Sequence, residues 1–127
     1  DGETPLFVAV DNDNIYVSEL LLGAGAQPDK GTNEGVCPIH AAAMNGNEHM
    51  VGVLVKHGAD INCRTRDGET ALIIAARNGL NNVVSELTAK GADVTCADEA
   101  EHTALYYATE NGYNEIVEIL LMAGAES

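Results

Sequence analysis

Paired apolar residues recur along the chain between polar ones: Tyr16/Val17 with Leu21/Leu22, Met50/Val51 with Leu54/Val55, Val83/Val84 with Leu87, and Ile116/Val117 with Leu120/Leu121. Offsets of three to four residues place each set on one stripe of a helix, so four amphipathic helices are predicted. A smaller apolar set precedes each one: Leu6/Ala9, Ile39/Ala42/Ala43, Leu72/Ala75/Ala76 and Leu105/Ala108. These predict short helices whose small inward residues let neighbours approach closely. Thr4 and Thr70 suit the N-cap, and Pro5 and Pro38 suit the first helical position, where a missing N–H costs nothing. Asn45-Gly46, Asn78-Gly79 and Asn111-Gly112 then end the short helix, because both residue types tolerate a left-handed backbone. Polar segments such as 60–69 follow the longer helix and read as projecting turns or hairpins.

A shift of 33 residues lays Thr4-Pro5-Leu6-Phe7 over Cys37-Pro38-Ile39-His40, Thr70-Ala71-Leu72-Ile73 and Thr103-Ala104-Leu105-Tyr106. The same shift superposes Gly25-Ala26, Gly58-Ala59-Asp60, Gly91-Ala92-Asp93 and Gly124-Ala125-Glu126. Agreement at several independent columns marks a stacked repeat architecture. The unit Gly68-Glu69-Thr70-Ala71-Leu72, Ala75-Ala76-Arg77-Asn78-Gly79, Val83-Val84, Leu87 and Gly91-Ala92-Asp93 resembles the ankyrin repeat, and the resemblance covers essentially the whole chain. It implies an all-α solenoid of helix-turn-helix units joined by β-hairpin loops, in one domain with repeats at approximately 1–34, 35–67, 68–100 and 101–127. It also implies a protein–protein interaction module that receives its partner on the concave face, through hairpin tips and first helices. The alternative is an accessory or regulatory segment of a larger enzyme, ubiquitin-ligase adaptor or channel whose activity lies in other domains.

Several positions depart from the pattern. Asp13 stands where Gly is preferred, Cys37 where Thr is, Glu101 where the hairpin Gly belongs, and Thr88 where a core Leu belongs. Gly23-Ala24 and Gln27-Pro28-Asp29 make the first repeat the least regular, so it is expected to open first. Capping repeats should carry a polar outer face. Ile116, Ile119, Leu121 and Met122 in the fourth repeat suggest instead a piece of a longer array.

Charge narrows the partners. Twenty Asp plus Glu against six Lys plus Arg give a formal net charge of -14 over 127 residues. Such a chain repels phosphate backbones and anionic lipid, so neither nucleic acid nor membrane is expected as partner. No apolar run approaches the roughly 18 to 20 residues that span a bilayer. The charge is uneven: residues 35–67 balance Glu48, Asp60 and Asp67 against Lys56, Arg64 and Arg66, whereas 101–127 hold five Glu and no Lys or Arg. Cys37, Cys63 and Cys96 match no zinc spacing and no dense disulfide framework, which points to reduced thiols and a cytoplasmic or nuclear setting, with export left open.

No catalytic constellation emerges, since the period disperses Cys and His along a rod instead of gathering them round a base and an oxyanion hole. The chain is therefore expected to be no enzyme, to hold no metal or cofactor, to take no small-molecule substrate and to be a monomer. His40 falls where the family commonly bridges repeats. Cys63 and Cys96 read as small fillers of one column. Leu54 with Asp60-Ile61-Asn62 resembles ankyrin sequences hydroxylated on that Asn, which makes Asn62 a candidate modification site. Family contacts carried onto this sequence give tip residues Glu3, Asn33, Val36, Arg66, Asp67, Glu69, Glu99 and His102, and first-helix residues Asp11, Met44, Arg77 and Glu110. Arg66 and Arg77 beside Met44 combine basic and apolar character, and are expected to meet a carboxylate-bearing segment of the partner.

Overall fold

A computed structural model describes residues 2–124. Among them are eight helices in four pairs: α1 (Pro5–Asp11) and α2 (Ile15–Gly23), α3 (Pro38–Met44) and α4 (Glu48–Lys56), α5 (Ala71–Arg77) and α6 (Asn81–Ala89), α7 (Ala104–Glu110) and α8 (Asn114–Met122). Ala125 and Glu126, in the last copy of the Gly-Ala column, lie outside the described residues.

The predicted caps at Thr4 and Thr70 form, and Thr103 in the same column acts likewise. Thr4 Oγ1 accepts the Phe7 N–H at 3.0 Å, Thr70 Oγ1 that of Ile73 at 3.2 Å and Thr103 Oγ1 that of Tyr106 at 3.1 Å. Each satisfies one of the N–H groups that a helix start leaves without a partner. Asn14 and Asn47 cap α2 and α4 in the same way, through Val17 N–H and Met50 N–H. Leu80 and Tyr113 occupy that position before α6 and α8 and give no side-chain cap.

First helices stack in one row, α1 on α3 on α5 on α7, and second helices in another, α4 on α6 on α8. The α2–α4 contact is the weak link of that second row. Between the rows runs a continuous apolar core containing Val10, Ile39, Met50, Leu54, Val84, Leu87, Ile116 and Leu120, each fully buried. Ile116 thus belongs to the interior and not to an outer face. Leu121 and Met122 remain 46% and 90% exposed. Asn45 and Asn111 tie adjacent units by donating to the backbone carbonyls of Asp11 and Arg77 in the preceding first helix.

The projecting loops are tighter than regular hairpins. Each is a five-residue turn closed by backbone bonds: Thr32 N–H to Val36 O, Thr65 N–H to Glu69 O, and Asp98 N–H to His102 O, all between 2.9 and 3.0 Å. The arms are too short for a ladder, and the one bridge among the described residues pairs Ala97 with Thr103.

Candidate protein-binding face

The tips take their shape from a column that sequence reasoning passed over. Thr32, Thr65 and Asp98 stand 33 residues apart, and each folds its loop with a side-chain oxygen. Thr65 Oγ1 accepts Glu69 N–H, and Asp98 Oδ1 accepts both Ala100 N–H and His102 N–H at 3.0 Å. These are Asx-type and Ser/Thr-type turns. The signal was legible: an oxygen-bearing residue recurs at fixed spacing before each tip. Although burial opposes ionisation of Asp98, the Tyr107 hydroxyl and the two N–H donors hold its carboxyl below the usual carboxylate range.

The predicted contact residues line this edge of the stack. Glu3, Asp11, Asn33, Met44, Arg66, Asp67, Glu99 and Glu110 are exposed, while Val36, Glu69, Arg77 and His102 are half-buried. A groove runs between the second and third tips and the first helices beneath them, lined by Val36, His40, Met44, Arg66, Glu69 and Ile74. Both arginines already have partners within the protein, however. Arg66 Nη2 donates to the Asn33 carbonyl at 2.6 Å, clamping one tip to the next. Arg77 pairs with Glu69 and lies 5.6 Å from the centre of the Tyr107 ring. The Glu69 carboxylate drives the Arg77 guanidinium further above its ordinary value.

Tyr106 and Tyr107 were missed as surface residues. The His102 ring stacks on Tyr106 at 3.8 Å between centroids, Tyr107 meets both edge-on at 5.5 Å, and its hydroxyl donates to Asp98 Oδ2. Tyr106 shares a column with the buried Phe7, His40 and Ile73 and is itself 42% exposed.

Both hydrogen bonds of His40 stay within the second repeat, not between repeats as the resemblance implied, because the ring reaches the loop that leaves α4. Its Nδ1 accepts the Cys37 N–H at 2.9 Å and its Nε2 lies 2.8 Å from the Cys63 carbonyl, which requires the neutral ring with the proton on Nε2. Burial lowers its pKa. Asn62 is also engaged, since its Oδ1 accepts the Asp93 N–H at 2.8 Å and its own N–H donates to Asp60 Oδ1.

Among the described residues no group of three or more His, Cys, Asp and Glu could hold a metal ion, and no helix is long and apolar enough to cross a membrane. The family model described as ankyrin repeats (3 copies) matches residues 1–65 and 39–127. No curated protein matches the chain.

Proposed function

The chain belongs to the ankyrin repeat family, and from that premise we propose that it docks a partner protein on the concave face, centred on the groove between the second and third tips. Ankyrin repeats are generally non-catalytic protein–protein interaction modules.

One observation carries the location. Met44 is 61% exposed beside that groove, and a large flexible apolar side chain left in water at the rim of a concave surface is suited to burial against a partner. Arg66 stands across from it. A guanidinium has five N–H donors, so the bond to Asn33 leaves others for a partner carboxylate. Arg77 is tied to Glu69, and engaging a second carboxylate would cost it that pair; its part is to form the wall of the groove. The acidic tips Glu3, Asp67 and Glu99, with Asp11 and Glu110 on the helices, steer basic segments towards the flanks. Asn33, Val36, Glu69 and His102 complete the surface. Modification of Asn62 by a hydroxylating enzyme is part of this reading, and it would act on a side chain that holds the Asp93 N–H of the next repeat.

The test is affinity capture with the purified chain, followed by measured affinities for what is captured. Met44→Asp combined with Arg66→Glu should weaken binding more than tenfold, while Glu19→Lys and Lys56→Glu on the second-helix side leave it within about twofold. Equal losses from both pairs would exclude the face.

A further inference from the structure

Cys37 occupies the cap column held elsewhere by Thr4, Thr70 and Thr103. Where each threonine presents an oxygen to its helix, Cys37 presents sulfur, which faces the His40 backbone N–H and also reaches beyond the helix. Its Sγ lies 2.7 Å from the Sγ of Cys63 and 3.4 Å from the Asp29 carbonyl. The separation falls between non-bonded contact, about 3.5–4.0 Å for carbon-sized atoms, and the roughly 2.05 Å of a disulfide. The backbones of both residues are fastened to one post, because the buried His40 ring accepts the Cys37 N–H and donates to the Cys63 carbonyl. The two sulfurs are therefore brought together by groups that are already ordered, and little freedom is left to lose on joining them.

We infer that Cys37 and Cys63 are a disulfide-forming pair, whose oxidation locks the cap of α3 to the loop leading into the third repeat. The oxidant is a low-molecular-weight disulfide such as glutathione disulfide. Cys63, half-buried, attacks as thiolate and forms a mixed disulfide; the departing glutathione thiolate takes up the proton that Cys63 released. The Cys37 thiolate then displaces the second glutathione, which takes up its proton in turn. One external disulfide is reduced to two thiols and one protein disulfide is made, so the electrons balance. A cleft bordered by Asp29, Lys30, Cys37 and Arg64 opens on the Cys37 side of the pair, where the Lys30 and Arg64 side chains can meet the carboxylates of an anionic peptide disulfide.

The surroundings set the tempo. Burial, reinforced by Cys63 and by the Asp29 and Asp60 carboxylates, pushes the Cys37 thiol up to about 12, and burial raises Cys63 as well. Thiolate is scarce at neutral pH, so the link forms slowly. Once formed it resists reduction for the same reason: the thiolate that must depart is a poor leaving group in a dry site. The pair is a durable latch on the second repeat and not a rapid switch.

Cys96 is the internal control. It shares the column of Cys63, but the period sets Thr70 opposite it where Cys37 stands for Cys63. The folded protein is incubated with glutathione disulfide, alkylated, unfolded and mapped by mass spectrometry. The expected result is a cross-linked peptide pair joining Cys37 and Cys63, an alkylated Cys96, and a Tm several degrees above the reduced form. Cys96→Ser should keep both the link and the Tm gain, whereas Cys63→Ser should lose both. Recovery of all three cysteines as thiols from the folded protein, or a link made through Cys96, overturns the inference.

Discussion

Glu101 sits at φ 65° and Asp13 at φ 60°, and among the described residues no others except glycines lie in that region. Both stand in glycine columns: Gly35 and Gly68 take φ 79° and 80° at the hairpin position, and Gly46, Gly79 and Gly112 take 71° after the first helix. A left-handed backbone costs a residue with a Cβ about 1–2 kcal/mol, less for Asp. Asp13 recovers part of that by accepting from Asn47 Nδ2 at 3.1 Å; the Glu101 side chain is exposed. Glu101→Gly should therefore stabilise the protein by about 1 kcal/mol after the entropy of glycine in the unfolded chain is subtracted, and Asp13→Gly should change it little. Urea denaturation of the two variants checks both. His40 sets a pH dependence at the same scale. Its folded pKa lies below the ordinary 6.5 because burial disfavours the imidazolium, which would also put a proton where Cys37 N–H donates. Its contribution is complete above pH 6.5 and declines as pH falls from there towards the folded value. The urea midpoint should drop between pH 7.5 and 5.5, and His40→Leu should flatten that slope; an unchanged slope would remove His40 as the cause.

Helix starts differ in how well they are closed. Thr70 is buried, with its Oγ1 on the Ile73 N–H, and its loss leaves that donor inside the protein without a partner. Thr70→Ala should cost about 1–2 kcal/mol in a thermal melt, at the upper end of cap effects because the site is dry. Second helices show the opposite compromise. At the cap positions of α6 and α8, Leu80 and Tyr113 exchange a side-chain cap for packing, and both lie against the core. Thr88, placed where a leucine was expected, meets its own needs by donating to the Val84 carbonyl at 3.0 Å. It keeps the helix intact while contributing less apolar surface. The second helix with the least contact to its row is α2. Tyr16 and Leu20 are 70% and 55% exposed on it, and it ends in Gly23-Ala24, which offer little side chain to pack on α4.

Stability in a stack is shared between neighbours, so loose elements open without the whole rod unfolding. Amide exchange should therefore be fastest in α1 and α2 and slowest in α5 and α6, which are flanked on both sides; protection of α2 equal to that of α6 would contradict this. The charge distribution also acts at this scale. The net charge of -14 makes self-repulsion a general burden, and added salt up to about 0.15 M should raise the midpoint by screening it over roughly 8 Å.

Repeat length, helix pairs, caps and the interior stripe were readable in the sequence, because each follows from local periodicity: helix starts at Pro5, Pro38, Ala71 and Ala104 keep the 33-residue step. The edge that carries the proposed site was readable too, since a solenoid repeats the same column on the same side. The engagement of each side chain was not. Arg77 met Glu69, Arg66 met the Asn33 carbonyl, and Cys37 turned to Cys63 and not Cys63 to Cys96, since these contacts join residues brought close only by stacking and by turn geometry. Periodicity assigns a residue to a row; which neighbour it touches depends on rotamers and loop shapes that arise only when adjacent repeats pack.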